Sequence, residues 1–200
     1  MNDLLAHSKI PSWGQVNRPL WNLIHKYAHG RVLDAGCARG WYVQALQEQG
    51  LEAYGCDLFD WSEWQTVPRK AYMQSNLPYL PFNDQCFDTV ICLNVLEHIT
   101  PIESVLRELS RVCKNEGNLL LAVPNCDNPS DMGWSGLTYH HWIDRSHVHF
   151  FHEMDFRKLL TQYELQILTL AEYGNIRPEI LLFRSFGIPL TIARVMTAGL

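Results

Sequence analysis

An α/β fold with a mostly parallel sheet and helices on both faces follows from three features of this 200-residue sequence. Val-Leu-Asp-Ala-Gly-Cys-Ala-Arg-Gly, from Val32 to Gly40, passes from an apolar run through an acid into a glycine-containing turn, and Trp41 to Gln49 continues with a helical pattern. Glu52 to Asp57 is a second short strand ending in a carboxylate. Downstream, strand-length apolar runs keep alternating with amphipathic helix-length segments, the pattern of parallel strands joined by crossover helices.

The elements read in order as follows. Trp13, Val16, Leu20, Trp21, Leu23, Ile24 and Tyr27 recur at helical spacing, so residues 13 to 28 form an amphipathic helix ahead of the first strand. Thr100-Pro-Ile-Glu103 is a helix start, with Thr100 as N-cap, Pro101 in the first turn and Glu103 placed for a capping box. That helix runs through Val105, Leu106, Leu109 and Val112 towards Gly117. Phe156, Leu159, Leu160 and Tyr163 mark another helix, followed by a strand from Leu165 to Leu170. Pro178 to Leu200 supplies a final strand and a short helix, or else an apolar appendage for a partner or membrane surface. No repeat or low-complexity tract interrupts this order, and the length suits one domain with a sizeable core.

A strand, loop and helix of this kind receives a nucleoside, with backbone approaching the ligand at Gly36 and Gly40 and a ribose-binding acid at the end of the next strand. A dinucleotide fingerprint needs glycines where Ala38 and Trp41 stand, which weakens a nicotinamide oxidoreductase reading. By contrast, Asp34-x-Gly36-x-x-x-Gly40 followed by Asp57 resembles the first two motifs of the class I S-adenosylmethionine-dependent methyltransferases, with Ala38 replacing a glycine of the usual loop. The stretch from Leu77 to His98 resembles that family's approach to its fourth strand, here Phe87 to Leu93. Gly117 to Pro124 resembles its fifth strand after a glycine turn, and the similarity extends from about Arg31 to about Leu170.

The resemblance implies a Rossmann-like methyltransferase fold with a mostly parallel seven-stranded sheet. Residues 1–30 would be an N-terminal helical cover, 31–124 the cofactor-binding half and 125–200 the acceptor-side half. It also implies S-adenosylmethionine as cofactor. Asp57 would accept the ribose hydroxyls in charge-assisted bonds, while Asp34 would organise the loop amides near the cationic methionine end. Gly36, Cys37 and Gly40 belong to the cradle. Asn76 falls where the family has an acid for the adenine amino group, Leu58 and Leu77 flank the ring, and Asn94 faces the methionine moiety. Asn76-Leu-Pro-Tyr79 imitates the Asn-Pro-Pro-Tyr motif of base-modifying amino-methyltransferases, but it precedes the strand that such a motif follows. Pro78, Tyr79 and Pro81 are therefore loop and packing residues.

The acceptor side centres on a connection from Asn125 to His152 that carries Trp134, Tyr139, His140, His141, Trp142, Asp144, His147, His149, Phe150 and Phe151. Long ordered connections are usually functional. His147 and Phe151 sit at the two ends of a segment resembling the His-x-x-x-Phe element of many small-molecule and glycan methyltransferases. A histidine titrates where a general base for a hydroxyl is useful, so His147 and His149 are the catalytic candidates. His140, His141, Asp144, His147, His149 and Cys126 are also conceivable metal ligands, yet no strong ligand spacing occurs and no metal is expected. Glu97-His98 recurs in the family after the fourth strand; the two readings for His98 are helix N-terminal packing, which is preferred, and contact with the acceptor.

A formal charge of −5 and the absence of a basic run argue against a nucleic-acid partner. The N-terminus lacks signal-peptide character, and no apolar stretch reaches transmembrane length. Six cysteines without a Cys-x-x-Cys pair read as buried hydrophobes in a reducing, cytoplasmic compartment. The expected activity is methyl transfer to a small molecule or glycan, at oxygen in preference to nitrogen. The alternative is a methyltransferase-like binding protein without turnover.

Overall fold

Burial along nearly all of β1 (Arg31–Ala35) marks it as a central strand, because a parallel strand covered on both faces has no side to expose to water. The computed structural model describes residues 16–66, 71–126, 146–173, 179–186 and 190–198. Around β1 lie α1 (Arg18–Tyr27), α2 (Trp41–Glu48), β2 (Glu52–Asp57), β3 (Tyr72–Gln74), β4 (Phe87–Leu93), α3 (Ile102–Val112) and β5 (Cys113–Pro124). After the long connection come α4 (Glu153–Gln162), β6 (Leu165–Tyr173), β7 (Glu179–Phe186) and β8 (Leu190–Ala198).

The strands form one sheet of order β3-β2-β1-β4-β5-β7-β6-β8, with β8 also pairing with β5 and β7. From β3 to β5 every pairing is parallel, whereas β6 and β7 are antiparallel. The chain first builds outwards from β1 through β2 and β3, then returns to place β4 on the other side of β1. Connections leaving β1 and β4 therefore diverge, and a crevice opens at the carboxyl ends of these two strands.

Two apolar clusters cover the two faces. Leu119, Leu121 and Val123 of β5 meet Leu106, Leu109, Phe156 and Leu160 from α3 and α4. Leu120 and Ala122 point the other way, into a cluster with Trp21, Ile24, Val43 and Leu46 from α1 and α2. This alternation is the period of two that a strand imposes on its side chains. No helix of the described residues is long and apolar enough to cross a membrane.

Several boundaries differ from the sequence reading. Helix α1 starts at Arg18, with the Asn17 side chain accepting from the Leu20 amide at 3.1 Å; Trp13 lies outside the described residues. Helix α3 starts at Ile102 with Pro101 as N-cap and no side-chain cap. The expected capping box does not form, and the Thr100 hydroxyl sits 3.3 Å from His149 Nε2. No glycine turn separates α3 from β5, which begins directly at Cys113. The sheet has eight strands rather than seven, because residues 190–198 form β8 where a short helix was expected.

The cap on α1 is testable. Leu20, Trp21 and Ile24 are each at most 2% exposed, so α1 is held mainly by burial of its inner face, with the Asn17 cap adding a local increment. Replacing Asn17 by Ala should lower unfolding stability by about 1 kcal/mol in chemical denaturation, with an unchanged denaturant slope.

Candidate active site

The crevice at the ends of β1 and β4 is a cleft of two lobes. The smaller, about 250 Å³, is bounded by Asn17 and Leu20 of α1, Asp34, residues 36 to 39, Trp41, Tyr42, Leu93 and Asn94. The larger, about 410 Å³, is bounded by Asp57 to Phe59, Trp61, Asn76, Leu77, Val95, His98, Ile99 and Ser146. Gly36, Ala38 and Asn94 line both, so the loop after β1 and the residue after β4 form the ridge between the lobes.

The loop from Gly36 to Gly40 is pinned from three directions. Its Gly36 and Cys37 amides donate to the Cys56 carbonyl at 2.8 and 3.0 Å. The Ala38 amide donates to Asp57 Oδ2 at 2.9 Å, and Trp64 Nε1 donates to the Ala38 carbonyl at 2.9 Å. Gly36 has φ +84 and Gly40 φ +80, and a Cβ at either would overlap the Val95 side chain or the Tyr72 ring, respectively. Both glycines are thus required by protein neighbours and by backbone conformation. The expectation that Gly40 admits the ligand is corrected, since it does not line the cleft and instead caps α2 beneath Tyr72. Ala38 has φ 45, a left-handed conformation for a residue with a Cβ.

The two strand-end acids have different environments. Asp34 is 2% exposed, its Oδ2 has no hydrogen-bond partner among the described residues, and it borders the smaller lobe. Burial, reinforced by the charge of Asp57, pushes its carboxyl up to about 7. A buried carboxylate oxygen without a donor fits a cationic ligand group, which would restore the charged form. Asp57 faces the larger lobe and accepts from Ala38, from the Phe59 amide at 3.0 Å and from Trp61 Nε1 at 3.2 Å. A carboxylate offers roughly four acceptor positions, so one remains for a ligand hydroxyl, and displacing Trp61 would free another.

Leu58 and Phe59 are 53% and 63% exposed beside Asp57, and Leu77 is buried opposite Asn76 in the same lobe. Such an apolar wall with a few polar groups suits a flat heteroaromatic ring. Cys37 lines the smaller lobe, but burial first, and then Asp34, Cys56 and Asp57, push its thiol far up. It is a packing residue rather than a nucleophile. All six cysteines are free, and four are buried.

The far wall of the larger lobe comes from the turn after β4 and from residues 146–151. Asn94, with φ 52, reverses the chain, and a short 3-10 turn, Leu96–His98, brings His98 and Ile99 to the lobe. His98 Nδ1 lies 3.0 Å from Ser146 Oγ, and the His98 and His147 rings meet edge to face at 4.6 Å. Of the two expected catalytic histidines, His147 stands directly behind His98. His149 instead braces the segment, its Nε2 lying 2.9 Å from the Ile99 carbonyl, and it does not border the cleft. Phe151 anchors the segment by packing on Phe156 at 4.8 Å. Trp134, Tyr139, His140, His141, Trp142 and Asp144 lie outside the described residues.

Sequence reasoning missed Phe59, Trp61, Val95 and Ile99 as cleft residues and ranked acceptor contact by His98 below helix N-terminal packing. For His98 a signal existed, since it follows the strand flanking the β1/β4 crevice, where ligands bind in open α/β sheets. The aromatic and aliphatic residues had no such signal, because their composition matches core and surface alike.

Residues 13–170 match the sequence profile of a family described as a methyltransferase domain. A probable S-adenosylmethionine-dependent methyltransferase of Mycobacterium tuberculosis is 32% identical over 98 residues, which is 47% of this chain and 35% of that protein. A ubiquinone biosynthesis O-methyltransferase of Aliivibrio fischeri is 28% identical over 125 residues, 56% of this chain and 53% of that protein. The chain thus spans about half the length, or less, of these curated relatives. Among solved structures, the 1,6-didemethyltoxoflavin-N1-methyltransferase of Burkholderia thailandensis, with S-adenosylhomocysteine bound, is similar with a TM-score of 0.69. That similarity covers 84% of this chain and 77% of the other at 17% identity, and speaks to the fold.

Two outcomes follow from this geometry. Ala38→Gly should raise unfolding stability by about 0.5–1 kcal/mol, because relief of the left-handed Cβ strain exceeds the added unfolded-state entropy; denaturant titration measures it. Asp34 holds its proton more tightly folded than unfolded, so its contribution to stability is fully present below the usual carboxylate range and is lost as pH rises through about 7. In the ligand-free protein, stability measured from pH 4 to 8 should therefore carry a descending component that Asp34→Asn removes.

Proposed function

The match over residues 13–170 places this chain in the methyltransferase-domain family, and on that premise we propose that it transfers a methyl group from S-adenosylmethionine to an oxygen of a small molecule or sugar. The observation that carries the reading is the pair of strand-end carboxylates in one divided cleft: Asp34 buried with an unmatched oxygen, Asp57 at the mouth of the larger lobe. S-adenosylmethionine, when bound, supplies an electrophilic methyl group on a sulfonium. Asp34 holds the cationic methionine end, Asp57 accepts from the ribose diol, and Asn76 accepts from the adenine amino group. Leu58, Phe59 and Leu77 enclose the ring. Asn94, on the ridge between the lobes, faces the methionine portion.

Residues 31–124 serve the cofactor and 125–200 the acceptor, with His98 of the first half joining Ser146 and His147 of the second at the acceptor wall. The main contribution of the chain is alignment of acceptor and donor with water excluded, which needs no strong base. The proton of the acceptor hydroxyl leaves to solvent through the open side of the larger lobe. Oxygen as the target is supported by the O-methyltransferase among the relatives. The unpaired thiols favour a reducing compartment, read as the cytoplasm.

Calorimetric titration with S-adenosylmethionine is expected to show binding that Asp57→Ala weakens roughly ten- to a hundredfold, equivalent to about 1.5–3 kcal/mol. Asp57→Asn, which keeps one acceptor without the charge, should fall between. An acceptor screen with labelled donor should yield S-adenosylhomocysteine. Binding without turnover on any acceptor would leave a binding protein, and equal binding of a nicotinamide dinucleotide would overturn the cofactor assignment.

A further inference from the structure

We infer that Glu97, His98 and His147 form a binding site for a divalent transition-metal cation at the acceptor wall of the cleft. Each residue offers one ligand atom, and these atoms lie within 4.8 Å of one another. Two imidazole nitrogens and one carboxylate oxygen make a mixed donor set that suits Zn²⁺, Co²⁺, Mn²⁺ or Fe²⁺ better than an all-oxygen cation. The three residues come from two distant stretches of chain, so the grouping is made by the fold.

The surrounding groups hold these side chains in place, as hydrogen-bond partners behind metal ligands do. Ser146 Oγ engages His98 Nδ1 at 3.0 Å, which leaves Nε2, 3.9 Å from Glu97 Oε1, as the free ligand nitrogen. The Glu97 carbonyl accepts from the Val148 and His149 amides at 2.8 and 3.1 Å, docking the backbone that carries His147 onto the backbone that carries Glu97. Glu97 is 1% exposed, and a carboxylate so buried is favoured by a positive charge beside it. Metal–ligand distances of about 2.0–2.2 Å require the three atoms to draw together, which side-chain torsions accomplish.

Three protein ligands leave coordination positions open, and of the site's residues His98 borders the larger lobe. If the proposed function holds, the open positions receive an oxygen of the acceptor. Coordination lowers the pKa of that hydroxyl, and its proton leaves to solvent. The site itself does not depend on that reading.

Titration of Co²⁺ alone into the purified full chain, followed by visible absorption and calorimetry, is expected to show one ion per chain without a thiolate charge-transfer band. Glu97→Gln and His98→Ala should each weaken that ion roughly tenfold or more, with an unchanged circular dichroism spectrum. Should Glu97→Gln fail to fold, His98→Ala, at a solvent-facing position, decides alone. No stoichiometric ion, an affinity indifferent to the substitutions, or a thiolate band would overturn the site. The titration contains neither methyl donor nor acceptor, so its failure would leave the methyl-transfer reading standing. Absent donor binding would sink that reading without touching the metal result.

Discussion

The hydrogen bond from the Ala38 amide to Asp57 ties the end of β2 to the loop that leaves β1, and the cleft takes its form from this bond. It spans two neighbouring parallel strands, beside the bonds from the Gly36 and Cys37 amides to the Cys56 carbonyl. With Trp64 holding the Ala38 carbonyl, the peptide at the crest of the loop is fixed on both sides. Asp57 is thereby committed partly to the protein, whereas Asp34, one strand away, stays behind the loop with an oxygen unmatched. One acid is tied into the loop and the other keeps an oxygen without a hydrogen bond among the described residues.

The backbone conformations of the ridge follow from the same confinement. Four residues of the two turns, Gly36, Ala38, Gly40 and Asn94, have positive φ. Glycine and asparagine adopt it cheaply, and Ala38 does so at a cost that its two hydrogen bonds offset. Val95 fills the space over Gly36 and Tyr72 the space over Gly40, so the loop is packed from outside as tightly as it is bonded from within. A cradle built this way is rigid before any ligand arrives, and this preorganisation reduces the ordering cost of binding.

The far wall of the larger lobe is built on a different plan, from side chains and main chain of two segments that meet only in the folded state. Phe151 is buried as an anchor and His149 reaches the Ile99 carbonyl as a brace. Between them the segment lies along the turn after β4, and His147 comes to rest on His98. Two histidines that look equivalent in the sequence thus take different places, His149 bracing the segment and His147 packed on His98. Phe150, 40% exposed, lies beside them.

The sequence by itself determined the parallel α/β order, the strand-end acids Asp34 and Asp57, and the glycine loop between them. These are written in local signals, namely hydrophobic period, turn chemistry and the spacing from one strand to the next. Resemblance to known methyltransferases then supplied the cofactor. Tertiary structure alone decided that Gly40 answers to Tyr72, that Asp34 Oδ2 lacks a donor among the described residues while Asp57 has three, and that Glu97, His98 and His147 converge. Capping of α3 and the identity of residues 190–198 as a strand were decided there too, since cap and strand choices at segment ends depend on which partner is within reach. Contacts between distant segments leave no periodic trace in either segment, so neither could announce them.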